Sequence, residues 1–331
     1  MADDLLHRTE AKTAGRLDAT LARLLPLSRN RLKALILDGR VSVGGQVECS
    51  PRRKIWPGDV LTVREPPPAL STLAPQDLAV PLLHLDESVV VVDKPADMVV
   101  HPAKGHPDGT LVNGLLHLIE AARHEAGPYP TPRSRPGIVH RLDRGTSGVL
   151  VVARTPAALT HLAAQFAEHS VERAYAALVW GETPGPSGTI DAPLGRHPGD
   201  RVRFAVQEQG KRAVTHWHRT AQVSYSSVGS SKGGVLSLVR CVLETGRTHQ
   251  IRVHMHSIGL PLVGDPLYGR RRPLPDSLRD LLGGVSRQLL HAGCLGFEHP
   301  VTAERLRFQR TPAADFRAVL EQLGLPVPFG D

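Results

Sequence analysis

The stretch His140-Arg141-Leu142-Asp143-Arg144-Gly145-Thr146-Ser147-Gly148, running on into Val149-Leu150-Val151-Val152-Ala153, decides how this chain is read. Its second half is an unbroken apolar run, the pattern of a strand buried on both faces. Its first half is a loop of Gly, Ser and Thr in which Asp143 stands between Arg141 and Arg144. A loop that leads into a buried strand is where a scaffold displays a reactive side chain. A nearby arginine holds an aspartate ionised at neutral pH and aims its oxygens through paired hydrogen bonds. Such a carboxylate can act as a nucleophile with no cofactor. From these residues alone, a structural Asp–Arg ion pair fastening the loop is an equally good account.

Outward from this stretch the chain reads as α+β with many strands. Val89–Val92 is a second buried strand, ending at Asp93-Lys94-Pro95, and Asp108-Gly109-Thr110 precedes a helix over 111–122. Residues 123–137, rich in Pro and Arg, read as a loop, and a helix is expected over 156–169. Arg173–Trp180, Val214–Val223, Val235–Leu243 and Ile251–His256 have the composition of strands. Ser224–Gly234, almost all Ser and Gly, reads as a flexible hairpin tip.

The N-terminal end differs in character. Residues 1–64 hold 12 Lys/Arg against 7 Asp/Glu, over half of the formal excess of +8 carried by all 331 residues. Leu17, Leu21, Leu24 and Leu25 recur at helical spacing. Pro26 ends that helix, and Ser28 is a suitable cap for a second one bearing Leu32, Leu35 and Ile36. Val41-Ser42-Val43 before Gly44-Gly45 reads as a hairpin, and Trp56-Pro57-Gly58-Asp59 as a turn before a strand over Val60–Val63. Arg29 and Lys33, four residues apart, share one helix face. A compact basic unit of this kind suits a polyanionic partner, nucleic acid first, and a solvated basic face is the plainer alternative. Residues 66–80, punctuated by proline, read as a semi-rigid linker and residues 1–13 as a tail.

Several chemistries lack their signatures. There is no GxxxxGK[ST] phosphate loop, no GxSxG elbow and no HExxH helix. His254 and His256, on an expected strand, would face one side, as would His216 and His218, with no obvious complement of further ligands, so no metal is expected. The three cysteines, Cys49, Cys241 and Cys294, are widely spaced and odd in number, which suits a reducing cytoplasm. No apolar stretch approaches ~20 residues, so no membrane span is expected.

The whole constellation goes further than any one loop. The segment from His140 to Ala153 resembles the active-site motif of the RluA family of pseudouridine synthases. Three other stretches are similar to that family's remaining motifs, in order: Val91-Val92-Asp93-Lys94-Pro95-Ala96-Asp97-Met98-Val99-Val100-His101-Pro102; Arg173-Ala174-Tyr175-Ala176-Ala177-Leu178-Val179-Trp180-Gly181; and Thr245-Gly246-Arg247-Thr248-His249-Gln250-Ile251-Arg252-Val253-His254, continuing to Gly264-Asp265-Pro266-Leu267-Tyr268-Gly269. The basic N-terminal unit resembles an S4-type RNA-binding domain. The likeness runs from about residue 14 to residue 325. Two positions depart from the pattern: Asp97 stands where the family has Gly, and Arg173 where it has Lys. Asp97 suggests that this turn does without positive φ, and Arg for Lys keeps charge but changes geometry.

The resemblance implies an S4-type domain over 14–65, joined by the linker to a catalytic domain over 81–326 built on a mixed, largely antiparallel sheet with flanking helices. It implies an isomerase that converts uridine to pseudouridine in RNA, with 23S ribosomal RNA of the large subunit as the expected target, and with no cofactor and no metal. Asp143 would be the catalytic carboxylate, its first step left open among attack on the sugar, attack on the ring and removal of a sugar proton. Tyr175 would stack on the target base, and Arg252 would pair with Asp143. Arg247 competes for that last role, with Arg252 preferred because it falls on the expected strand. Arg141 would enter the space left by a flipped-out uridine. His140, Arg144, Arg247, Arg16, Arg29, Lys33, Arg40 and Lys54 complete the expected RNA contacts, in a monomeric cytoplasmic protein. Two rivals remain: a hydrolase that releases free uracil, and a non-catalytic RNA binder, which would have no need of Asp143, Tyr175 and Arg252 together.

Overall fold

A computed structural model describes residues 4–25, 27, 29–66, 73–102, 105–121, 137–227, 230–269 and 276–330. The chain divides into two compact units, residues 1–71 and 72–331.

In the first unit, β1 (Leu5–Glu10), β2 (Gly15–Arg16), α1 (Leu17–Leu24), α2 (Arg29–Leu37), β3 (Val41–Val43), β4 (Gln46–Val47), β5 (Lys54–Ile55) and β6 (Val60–Glu65) follow one another. The main sheet has the order β1-β6-β3-β4, and β2 pairs with β5. Leu17 and Leu21 of α1 and Leu32, Leu35 and Ile36 of α2 are buried against Val41, Val43, Ile55, Leu61 and Val63. Leu24 and Leu25 only border this core. Pro26 and the expected cap Ser28 lie outside the described residues. The expected tail is in part a strand, because β1 pairs antiparallel with β6 from Leu5–Glu65 to Glu10–Val60. Its backbone bonds come from β6, and its side chains show no apolar alternation that a sequence reading would catch.

In the second unit the elements are β7 (Leu82–Leu85), β8 (Val89–Lys94), α3 (Leu111–Ala121), β9 (Ser147–Ala153), α4 (Pro156–Ala167), β10 (Glu172–Trp180), β11 (Ser187–Asp191), β12 (Leu194–Arg196), β13 (Phe204–Val206), β14 (Val214–Ser227), β15 (Ser230–Leu243), α5 (Gln250–Ser257), α6 (Asp276–Leu282), β16 (Leu290–Glu298), β17 (Arg305–Gln309) and α7 (Ala314–Gln322). Among the described residues they build a nine-stranded sheet of order β11-β14-β15-β10-β16-β9-β8-β7, with β17 also on β16. All of its neighbours are antiparallel except β9 and β16, which makes it mixed and largely antiparallel as expected. Strand alternation sends Val90, Val92, Leu150 and Val152 toward α3 and α5, and Val89, Val91, Val149 and Val151 toward α4. Beside them Ala176, Leu178, Leu236 and Leu238 meet α6 and α7. The sheet is thus covered on both faces, which accounts for the unbroken apolar runs of β8 and β9.

Several expectations are corrected here. Ile251–His256 is helical, within α5, and not a strand. Ile251 and Met255, one turn apart, enter the core, while Gln250, Arg252 and His254 are buried through polar partners. Tertiary bonds, not periodicity, decide that segment. His254 and His256 therefore point apart: His254 bonds Thr215 and the Ala192 carbonyl, and His256 is exposed. The hairpin tip is far shorter than Ser224–Gly234, for β14 and β15 stay paired through Ser224–Val235 and Tyr225–Gly234 to Ser227–Ser230. Asp97 does take positive φ, +62°, so the turn keeps the conformation for which Gly is suited. Residues 78–80, counted with the linker, pack on α3, where Leu78 and Val80 fill the space over Gly114. The expected loop 123–137 lies outside the described residues except for Gly137.

Candidate active site

Asp143 sits in the segment that enters β9, and that entry is fastened from three directions. Leu142 is buried in the core, so its extended neighbours Arg141 and Asp143 face outward. Gly148 takes φ +122°, and a Cβ there would meet the Ala292 carbonyl oxygen at 2.3 Å, so only glycine lets β9 approach β16 this closely. Buried Lys94 donates to the carbonyls of Pro95 (2.7 Å), Met98 (2.9 Å) and Arg144 (3.2 Å). Arg287 donates to the Gly145 carbonyl (2.9 Å) and is itself gripped by Asp315 through two 2.6 Å bonds. Gln288 Nε2 donates to Thr146 Oγ1 at 3.0 Å. Locked supports of this kind hold a reactive group in one geometry.

The carboxylate of Asp143 accepts from Arg252 Nη1 at 2.9 Å. Arg252 in turn donates through Nε and Nη2 to both oxygens of Asp265, at 2.7 and 2.9 Å. Asp265 also accepts the main-chain N–H groups of Leu267 and Tyr268. Burial would raise the Asp265 carboxyl, but Arg252 and these N–H donors outweigh it and hold it below the usual range. Burial likewise opposes the Arg252 charge, and the two carboxylates raise its pKa beyond the ordinary value. His249, at φ +57° just before α5, places Nε2 3.9 Å from Asp143 Oδ2. Its Nδ1 lies 2.9 Å from the Tyr268 hydroxyl, which accepts the Phe204 N–H at 2.7 Å. Burial keeps its pKa below the usual histidine value.

A cavity of about 780 Å³ opens beside this group, lined among others by Arg141, Asp143, Arg173, Tyr175, His140 and Arg247. Arg173 and Tyr175 are two apart on β10 and so share one face of the strand. The register against β16 breaks between Ala174 and Ala176, a bulge of the sort that re-aims side chains beside active sites. Burial raises the Tyr175 pKa, so its phenol keeps its proton at neutral pH.

The other expected residues are placed as follows. Arg141, Arg144 and Arg247 are exposed. Arg247 Nε donates to the Arg212 carbonyl and Arg144 Nε to the Asp97 carbonyl. His140 is turned inward, stacked on Phe166 with ring centroids 4.6 Å apart, and its Nε2 accepts the Val151 N–H. Burial and the neighbouring Arg173 push its pKa down to about 3, so it lines the cavity as a neutral ring. In the first unit Arg16 and Arg29 both converge on buried Asp18, and Arg40 pairs with Asp4. Lys33 is exposed, and Lys54 lies 4.5 Å from the centre of the Trp56 ring. Arg252 meets Asp143 from a helix, so the preference for it over Arg247 is right in outcome and wrong in reason. Nothing in the sequence singles out Asp265, His249, Lys94, Arg173 or Arg287 as part of the site. The first four stand inside the four motifs, and that is their only signal.

Comparison with known proteins identifies the family. Residues 88–257 match the family model described as RNA pseudouridylate synthase, and residues 15–61 match the S4 domain. The chain is similar to the "Ribosomal large subunit pseudouridine synthase D" of Zymomonas mobilis, 44% identical over 327 residues and covering 98% of each chain. The protein of the same name from Pseudomonas aeruginosa is 42% identical over 313 residues, covering 93% of this chain and 92% of the other. Among solved structures, "Human RNA Pseudouridylate Synthase Domain Containing 4" shares the fold, with a TM-score of 0.56 at 24% identity over 75% of this chain and 94% of that one.

Proposed function

The chain belongs to the RNA pseudouridylate synthase family and is an RNA-binding pseudouridine synthase, and we propose from that premise that it modifies uridines of large-subunit ribosomal RNA with Asp143 as its catalytic carboxylate. The observation that carries the assignment is the Asp143–Arg252–Asp265 chain of ion pairs beside Tyr175 at one cavity. The target is large-subunit 23S RNA because the relatives of that name align over nearly the whole chain, first unit included.

Pseudouridine formation breaks the N-glycosidic bond, turns the base and rejoins it through carbon, with no atom gained or lost. A uridine inside folded RNA must leave its stack to reach the cavity, at a cost of a few kcal/mol. Stacking on an aromatic ring returns roughly 1–3 kcal/mol, and Tyr175 is an aromatic ring on the cavity wall beside Asp143. Exposed Arg141, next but one to Asp143, fills the gap in the RNA by hydrogen bonding and stacking. Arg252 keeps Asp143 in place, and Asp265 keeps Arg252 in place. The first unit grips RNA through its cations, Lys33 and Lys54 foremost. Among the described residues no helix is long and apolar enough to cross a membrane.

Asp143→Asn tests the reading. Pseudouridine mapping in ribosomal RNA from cells lacking the protein, complemented with wild type or this variant, should show sites restored by wild type alone. RNA affinity should stay within about three-fold, since one neutral isostere leaves the phosphate contacts intact. Full modification by the variant would sink the catalytic assignment, and unchanged sites in the deletion strain would sink the choice of substrate.

A further inference from the structure

Arg173 is a buried cation for which the described residues provide no counter-ion. It is 5% exposed, yet among the described residues no carboxylate pairs with it. Its Nη2 donates to the main-chain carbonyls of Leu243 (3.4 Å) and Glu244 (2.7 Å). Its Nε is buried with no partner at all. A Cβ on Gly246 would come within 2.8 Å of its Nη1, so the guanidinium lies against a residue with no side chain to meet it. The carbon of the guanidinium is 5.5 Å from the centre of the Phe166 ring. An unpaired buried charge is costly to keep. Burial lowers its pKa, and no carboxylate offsets that. Such a group persists where something outside the chain completes it, and this one lines the cavity that holds Asp143 and Tyr175.

Charge within that cavity narrows what completes it. Arg252 is shared between two carboxylates, so the Asp143–Arg252–Asp265 group carries one negative charge more than positive. We propose that Arg173 is a catalytic residue that receives this charge after it passes to the uracil, holding the base as an anion while it turns. The inference rests on the function proposed above.

The step balances. Cleavage sends the electron pair of the C1′–N1 bond onto the base, where it spreads over N1, O2 and O4. The Asp143 carboxylate either bonds C1′ or takes a neighbouring sugar proton, and in each case its negative charge is neutralised as the base becomes an anion. Rejoining reverses the flow. C5 supplies the pair for the new bond to C1′, the carboxylate leaves or returns its proton, C5 loses its proton and N1 gains one. A planar guanidinium offers adjacent donors to a carbonyl oxygen and a ring nitrogen. RNA phosphates are the competing anions, but the cations suited to them, Arg141 and Arg247, are exposed, whereas Arg173 lies deep on the Tyr175 face of β10.

Single-turnover kinetics on a 23S RNA fragment distinguish these roles. An interaction present only after the bond begins to break leaves substrate affinity alone. Arg173→Met should lower the rate at saturating RNA about 100-fold, the loss typical of removing one donor to a developing anion, with RNA affinity within about two-fold. Arg173→Lys should keep more than about a tenth of the rate, because a charge remains. In Arg173→Ala, millimolar guanidinium chloride should restore activity where sodium chloride does not. A folded Arg173→Met that turns over within about three-fold of wild type would overturn the proposal. So would weakened affinity with the rate at saturation kept, the mark of a phosphate grip. Should the Met variant melt below the assay temperature, failure of guanidinium to rescue the Ala variant is the refuting result. Wild type and Asp143→Asn on the same RNA separate the two readings: a wild type making no pseudouridine refutes the function, not the role of Arg173 alone.

Discussion

Replacing Asp265 by Asn tests whether the Asp143 carboxylate is held through a relay. The substitution keeps shape, and Oδ1 can still accept from Leu267, Tyr268 and Arg252 Nη2. The other oxygen, which accepts from Arg252 Nε at 2.7 Å, becomes an NH2 group, so a donor faces a donor. The side chain of Asp265 is fully buried and that of Arg252 is 5% exposed, so water cannot repair the mismatch. Breaking a buried pair by removing one partner costs about 3–5 kcal/mol, and the surviving Asp143 bond puts this case near the lower end, about 3 kcal/mol. In a unit of this size each kcal/mol moves the midpoint by roughly 2–4 °C, so the Tm should fall by about 6–12 °C. Supports behind a reactive ligand are typically worth about 10–100-fold, and kcat should drop by that factor. Thermal melting followed by circular dichroism, with single-turnover assays well below the lowered midpoint, reads both numbers. A Tm within about 2 °C of wild type, together with kcat within about two-fold, would show that Arg252 orients Asp143 without help.

Two further outcomes are expected. Buried His291 bonds Ser147 and the Arg310 carbonyl, and burial pulls its pKa down to about 4 against the ordinary 6.5. Between those values the unfolded chain binds a proton that the folded one refuses, so stability rises with pH across that window and is lost on acidification, by about 3 kcal/mol from this residue. Urea midpoints measured from pH 7 to pH 4 should fall, and His291→Gln should flatten the fall; equal slopes would refute the assignment. In the first unit, Lys33→Ala with Lys54→Ala should weaken RNA binding regardless of sequence. The slope of log affinity against log salt should shrink by about 0.9 for each duplex phosphate that is no longer neutralised, read by fluorescence anisotropy, and an unchanged slope would make these lysines a solvated face.

Particular residues mark where sequence reasoning stops. The strands β8 and β9 are legible because burial on both faces leaves an apolar run that few other structures use. Segment 250–257 is not, because Ile251 and Val253 favour strands and only distant partners such as Thr215 and Asp265 make its polar residues burial-competent as a helix. The Ser/Gly stretch of the β14–β15 hairpin reads as a floppy tip because ladder pairing needs only backbone, which composition does not report. His140 reads as an RNA contact from its place in a motif, while its actual surroundings, Phe166 and the Val151 N–H, come from other elements.

By itself the sequence determined the family, the order of the two units and the basic character of the first, and it pointed to Asp143. These properties are local: alternation, charge density and ordered motifs survive in one dimension. Tertiary structure alone decided what surrounds Asp143. The partners that hold it, Arg252 and Asp265, lie 109 and 122 positions along the chain, and the segment entering β9 is fastened by Lys94 and Arg287 from opposite sides in sequence. It also decided which arginines are already spent, Arg16 and Arg29 on Asp18, and that Arg173 is buried with no carboxylate beside it among the described residues. Every arginine carries its charge in the sequence, but only the fold sets how much water it loses and which carboxylate takes the water's place.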